Sequence, residues 1–282
     1  KIMRNHSTKK LRELSLNFSK EIIRITAKAG SGHPSSSLSA IDIMICLYFK
    51  PIMNYDSDNP SWPERDRFVL SKGHGAPGLY VTLAHAGYFD KSLLPTLRQT
   101  GSPLEGHPNM KILPGLESST GSLGQGLSIG IGHALAAKMD KKDYRVYVMA
   151  GDGEIQEGQI WEGTMYAASH NLDNLVLIID HNKYQQTNAF KNVMPAMMPL
   201  SDKWEAFGWN VEEIDGHDID EIIDTFDNID EFKDRPSVII ANTHKGKKIS
   251  LFSSDEQSHM HGKPLDEDQV EAAIKELDDM YK

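Results

Sequence analysis

The chain has 282 residues, 39% hydrophobic and 25% charged, with a formal net charge of −10. Such a composition is globular, and the length supports a large core in a single domain over residues 1–282. The acidic balance argues against nucleic acid or an anionic membrane surface as a partner, and no apolar run is long enough to span a membrane. The lone cysteine, Cys46, lies in the apolar run IDIMICLYF, which reads as a core position and rules out a disulfide within the chain. The opening segment KIMRNHSTKKLREL has no signal-peptide hydrophobic stretch, so a cytoplasmic location is the default expectation.

Leu11, Leu14, Phe18, Ile22 and Ile25 recur at helical spacing and predict an amphipathic helix over about 8–28. The turn Gly30-Ser31-Gly32-His33-Pro34 follows, then a second helix from Leu38 to Phe49. A turn that opens a helix is a natural seat for an anion or a polar ligand, and His33 stands in it. Arg65 to Leu70 reads as a strand, followed by Ser71-Lys72-Gly73-His74-Gly75 and a helix through Leu79, Leu83 and Ala84. The two glycines beside His74 leave its ring exposed. Leu104-Glu105-Gly106-His107-Pro108 belongs to a loop rich in Gly and Pro. Thr120-Gly121-Ser122-Leu123-Gly124-Gln125-Gly126 then leads into a helix from Leu127 to Met139. Gly126 to Gly130 matches the hydrolase elbow G-x-S-x-G, but it lies inside a helix and not after a strand. The glycine run from Gly121 to Gly130 does not carry the dinucleotide fingerprint G-x-G-x-x-G, which weakens a nicotinamide-binding reading there.

Val146 to Ala150 and Leu175 to Ile179 are short apolar runs flanking a helical pattern from Glu157 to His170. In that pattern Ile160, Met165, Ala167 and Ala168 are available to cover a sheet. This is the signature of a βαβ unit with buried parallel strands, and such connections bring the two strand ends together. The first run ends in Gly151-Asp152-Gly153 and the second in Asp180-His181-Asn182. Ligands of open α/β sheets sit beyond the carboxyl ends of the strands, so Asp152 and Asn182 are expected to face one crevice. One carboxylate and one amide oxygen suit a magnesium or calcium ion that keeps places free for phosphate oxygens. Alone, GDG is an ordinary strand-end turn; its pairing with Asn182 points to a metal–diphosphate site.

Between Gln185 and Leu200 the chain is polar and rich in Met and Pro, the pattern of an irregular excursion. A short helix at Trp204 to Phe207, strands at Trp209 to Ile214 and Ser237 to Ala241, and a helix at Ile219 to Phe226 follow. After Thr243 comes a long loop that opens on His244, Lys245, Lys247 and Lys248 and ends on His261-Gly262, with His259 close by. Glu267 to Met280 reads as the final helix.

GDG followed by an Asn-bearing strand end resembles the thiamine-diphosphate signature. Nearly the whole chain resembles the N-terminal, diphosphate-binding half of the transketolases. The resemblance rests on Gly32-His33-Pro34, SKGHG around His74, EGHP around His107, the Gly121–Gly126 turn, GDG with Asn182, and His261-Gly262. Ser35 stands where the family usually has glycine. The implied fold is a thiamine-diphosphate-binding α/β fold: a mostly parallel central sheet with helices on both faces. The implied cofactors are thiamine diphosphate and Mg²⁺ (or Ca²⁺), the metal being held by Asp152, Asn182 and the main-chain carbonyl of Tyr184. His74 and His261 would support the diphosphate, with Gly121, Ser122, Leu123, Gly151, Gly153 and Glu154 also around the cofactor. His33, His74 and His107 would orient a ketose and assist proton movement, and Glu157 would lie at a subunit interface beside the cofactor. The implied reaction moves a two-carbon ketol unit from a ketose (phosphate) to an aldose (phosphate).

In that family a glutamate on a pyrimidine-binding domain activates the cofactor, and arginines of the C-terminal half grip the substrate phosphate. The resemblance covers the first half alone and therefore implies either a split enzyme or a piece of a longer one, the split enzyme being the reading taken forward. The expected partner is a C-terminal transketolase subunit carrying the pyrimidine-binding domain, in an α₂β₂ heterotetramer. Two other readings stay open. One is a subunit like that of deoxyxylulose-phosphate synthase or a 2-oxoacid dehydrogenase; the other is a non-catalytic cofactor-binding subunit. The three histidine motifs favour transketolase, with ordinary, sulfonated or branched sugars open as substrates.

Overall fold

The computed structural model describes residues 5–186, 188–253 and 260–281. Helices α1 (Thr8–Ala29) and α2 (Pro34–Phe49) come first, then β1 (Arg67–Leu70), α3 (Ala76–Ala86) and α4 (Gln125–Met139). Next are β2 (Val146–Gly151), α5 (Gly158–Ser169) and β3 (Leu175–His181), followed by a small ribbon of β4 (Tyr184–Gln185) and β5 (Asn188–Ala189). Then come α6 (Phe190–Val193), α7 (Leu200–Ala206), β6 (Asn210–Asp215), α8 (Ile219–Asn228), β7 (Ser237–Asn242), α9 (Ser250–Ser253) and α10 (Glu267–Met280).

Five strands form one sheet in the order β1-β2-β3-β7-β6, and every neighbouring pair is parallel. All residues of β3 are buried, as expected of a strand covered on both faces. The strand period of two divides its side chains between two cores. Val176 and Ile178 pack with Tyr147, Met149 and Ile239 against α1, α2 and α3. Leu175, Leu177 and Ile179 pack with Val146, Val148 and Ile240 against α4, α5 and α7. Each Leu or Ile so buried contributes about 1.5–3 kcal/mol. The expected parallel sheet with helices on both faces is the fold observed.

The register sets the position of the site. Gly151 pairs with Asp180, Asp180 with Ala241, and His181 with Asn242, so three strand ends finish level. The α5 crossover between β2 and β3 is the predicted βαβ unit. Within α5, Ile160 and Ala167 are buried and Ala168 is partly covered, but Met165 is 48% exposed. Met165 falls on the outer side of a helix whose inner stripe is already filled.

Several boundaries differ from the sequence reading; the helix expected at Trp204 to Phe207, for one, runs from Leu200 to Ala206. The second helix begins at Pro34, not Leu38, because proline's fixed φ and missing N–H suit the first helical turn. All of its residues are buried, including Cys46. The stretch after Gln185 is more ordered than an excursion: Tyr184–Gln185 pairs antiparallel with Asn188–Ala189 before α6 begins.

Candidate active site

A cavity of about 710 Å³ opens beyond the carboxyl edge of the sheet. It is lined by His33, His74, His107, Gly121, Leu123, Gly151, Asp152, Gly153, Glu154, Glu157, Asn182, Tyr184 and His261. The structure thus gathers nearly every residue singled out in the sequence. Ser122 is exposed and not part of the lining. His259 and the side chain of Lys248 lie outside the described residues.

The floor comes from β2 and β3. Asp152 is 2% exposed; its Oδ1 accepts from Gly153 N–H at 2.8 Å and its Oδ2 from Lys183 N–H at 2.7 Å. His181 Nδ1 lies 3.2 Å from the same Oδ2. Burial raises the Asp152 carboxyl above the usual range, and His181 offsets this only in part. The carboxylate is thus desolvated with incomplete charge compensation, which a divalent cation would relieve. Asn182 donates from Nδ2 to Asp180 at 3.3 Å, and its Oδ1 accepts from Tyr184 N–H at 3.1 Å. Among the described residues no group of three or more His, Cys, Asp or Glu side chains could hold a metal alone. A donor set with one carboxylate suits an ion that completes its shell with phosphate oxygens and water.

The walls are glycine loops braced from below. Gly121 has φ 148°, and a Cβ there would stand 3.2 Å from the His107 ring, so the turn and the ring share one narrow space. Glu154 lines the cavity, but its oxygens serve the loops. Oε1 accepts from Ser71 Oγ and from Gly124 N–H at 2.9 Å, and Oε2 accepts from Gly151 N–H at 3.0 Å. Glu154 therefore ties three cavity-bearing turns together. Glu157, exposed, is the N-cap residue of α5 and makes no capping hydrogen bond with its side chain.

Three histidines from distant parts of the chain meet above this floor. The His33 ring lies 5.2 Å from that of His74 and 5.1 Å from that of His261, and the last two are 5.5 Å apart. Burial, then nearby cationic groups, depress all three. His33 and His261 fall to about 4, and His74 lies well below the ordinary value. His107 is also lowered, first by burial and then by Arg98. At neutral pH the cluster is uncharged, so each ring offers one donor and one acceptor nitrogen. His33 Nδ1 is buried without a hydrogen-bond partner among the described residues. The cavity thus fits a polar, anionic cofactor: it has a metal-ready carboxylate, backbone-lined loops and an orphaned ring nitrogen.

A family model described as the transketolase, thiamine diphosphate binding domain matches residues 10–279. The chain belongs to the transketolase family. Over 251 residues this transketolase domain is 45% identical to a 6-deoxy-6-sulfo-D-fructose transketolase subunit of Clostridium sp. (strain MSTE9), covering 89% of this chain and 90% of that one. It is 44% identical to an apulose-4-phosphate transketolase subunit of Phocaeicola vulgatus, covering 92% of this chain and 90% of that one. Against human transketolase the identity is 42%, over 90% of this chain but 40% of the human one. The crystal structure of transketolase from Campylobacter jejuni superposes with a TM-score of 0.86 at 32% identity, covering 95% of this chain and 43% of that one. The fold expectation and the thiamine-diphosphate-binding assignment hold. No described helix is long and apolar enough to cross a membrane.

The transketolase site also draws on residues that the sequence reading did not assign to it. Lys72, part of the lining, forms a fully buried ion pair with Asp180. Lys72 Nζ also donates to the Ser36 carbonyl at 2.9 Å. Asp180 accepts from Ser39 Oγ at 2.6 Å and from Thr243 Oγ1. Burial raises the Asp180 carboxyl, but Lys72 and the two hydroxyls outweigh it and leave it below the ordinary range. Lys245 reaches the lining from the far side, and burial lowers its ammonium to about 8. The lysine inside SKGHG and the cationic run after Thr243 were the available signals, but neither shows which way a side chain points.

Proposed function

We propose that this chain is the diphosphate-binding subunit of a two-chain transketolase. It would transfer a two-carbon ketol unit from a ketose to an aldose. The observation that carries this reading is the meeting of Asp152 and Asn182 with three neutral histidines in one cavity. Thiamine diphosphate, when bound, supplies the nucleophilic carbon that cleaves the ketose. Asp152, Asn182 and the Tyr184 carbonyl would hold Mg²⁺ or Ca²⁺ against the diphosphate. Gly121, Leu123, Gly151 and Gly153 let the cofactor approach the backbone, while Ser122 flanks the turn from outside the lining. Glu154 keeps those turns in place. His74 and His261 donate to phosphate oxygens. His33 and His107 orient the sugar hydroxyls and, being neutral, accept or return a proton at neutral pH.

The partner in this reading is a C-terminal subunit carrying the pyrimidine-binding domain, with Glu157 near the contact and an α₂β₂ assembly in the cytoplasm. Support comes from two relatives more than 40% identical that are named as transketolase subunits and are covered over 90% of their length. Their names specify 6-deoxy-6-sulfo-D-fructose and apulose 4-phosphate, so a ketose with an anionic terminus is the substrate class proposed here. The test has two arms. Native mass spectrometry of the gently isolated protein should find two copies each of this chain and a second chain, with thiamine diphosphate bound. Asp152→Ala should abolish the Mg²⁺-dependent retention of the cofactor. A bare homo-oligomer, or normal cofactor occupancy in the variant, overturns the reading.

A further inference from the structure

The loop that brings Lys245 to the cavity is held from behind by a second buried charge cluster, none of whose members lines that cavity. Asp42, in the middle of α2, is 1% exposed. Its Oδ1 accepts from Lys247 Nζ at 2.7 Å and from Ser15 Oγ on α1. Its Oδ2 lies 2.8 Å from His217 Nδ1. His217 Nε2 in turn accepts the backbone N–H of His244 at 3.0 Å. A ring nitrogen that accepts carries no proton, so the His217 proton sits on Nδ1 and is donated to Asp42. One carboxylate therefore fixes both ends of the segment His244-Lys245-Gly246-Lys247.

Between those ends Lys245 projects the opposite way. Its Nζ donates to the Gln186 carbonyl at 3.1 Å and lies 5.3 Å from the Tyr184 ring centre, at the cavity wall. The reversal needs two left-handed residues in a row, Gly246 at φ 69° and Lys247 at φ 57°. A Cβ on Gly246 would sit 2.1 Å from that of Phe252. Lys247 has no such excuse: a side chain in that region is strained, and its buried ammonium has lost water. Asp42 compensates for both. Burial alone would lower the Lys247 ammonium and raise the Asp42 carboxyl; their pairing, with His217 helping at Asp42 and Tyr281 at Lys247, outweighs it in each case.

We propose that Asp42, His217 and Lys247 form a positioning clamp that sets the reach of Lys245 into the cavity, and through it the affinity for the diphosphate of the cofactor. The clamp rests on the cofactor reading given above. The test is a double-mutant cycle read by titration calorimetry, with thiamine diphosphate and excess Mg²⁺ added to the full chain in the assembly it forms. Lys245→Met should weaken binding about tenfold, as expected for losing a hydrogen bond to a charged group. Lys247→Met should weaken it by a similar factor, and the double variant should be no worse than Lys245→Met alone. Should Lys247→Met fold poorly, Asp42→Asn with Lys247→Met leaves no buried charge unpaired and carries the same expectation. A merely structural lysine would lower the melting temperature and leave the affinity untouched. That result, or losses that add in the double variant, overturns the clamp. If Lys245→Met and Asp152→Ala both bind normally, the cofactor reading fails and the clamp fails with it.

Discussion

Asp152 and Asp180 stand at the ends of adjacent strands and are both almost wholly buried, yet Asp152 ends above the ordinary carboxylate range and Asp180 below it. Burial raises each carboxyl. At Asp180 a buried lysine and two hydroxyls overcome that cost and hold the group ionised. Asp152 has backbone N–H groups and one histidine, and the cost stands. A carboxylate whose burial is compensated within the chain holds the fold together. One left without full compensation marks where something cationic is expected to arrive.

The comparison breaks most readily at the compensated end. Lys72→Met leaves Asp180 as an unpaired buried charge, and chemical denaturation should show a loss of about 3–5 kcal/mol. A loss below about 1 kcal/mol, the level of an exposed pair, would erase the distinction. At the other end, Asp152→Asn removes a carboxylate that burial disfavours. Its unfolding free energy should hold or rise, while thiamine diphosphate binding in Mg²⁺ weakens about a hundredfold or more, at least the cost of losing a metal site's outer support. If calorimetry and denaturation instead show lost stability with intact binding, the two aspartates have exchanged roles. Thr243→Val sharpens the picture by withdrawing one hydroxyl from Asp180, and should cost about 1.5–3 kcal/mol at most.

The smallest effect is a pH slope. His33 and His261 titrate near 4 in the folded chain, against an ordinary 6.5. Between those values the unfolded chain binds more protons, so stability present above pH 6.5 drains away as the pH falls toward 4. Melting temperatures across that window should decline, and His33→Gln with His261→Gln should flatten the decline. An unchanged slope in the double variant would place the acid sensitivity elsewhere.

Much of this was readable before any coordinates. The strands β2 and β3 announced themselves because both faces are buried, which leaves an uninterrupted apolar run, and their polar endings then pointed at the crevice. The histidines were readable because each sits in a glycine- or proline-rich turn. Partnership was not readable. Lys72 and Asp180 lie 108 residues apart, and nothing local to either says that they pair. The resemblance places Glu154 around the cofactor, yet its oxygens go to Ser71, Gly124 and Gly151, a bracing that depends on two other loops. Met165 was counted toward the sheet on spacing alone, where one step around the helix decides between core and surface.

The strand order also governs how the chain is made. Strand β3 ends at His181, but its second neighbour, β7, starts only at Ser237. While the ribosome is still synthesising the residues between them, the most apolar strand of the sheet has one open edge. Because β7 also bridges β3 to β6, neither pairing can close before it emerges. Parallel partners so far apart assemble slowly and leave an edge on which other chains can add. Translation speed through residues 182–236, and the chaperones present during it, are therefore expected to set the yield of this protein more than its final stability does.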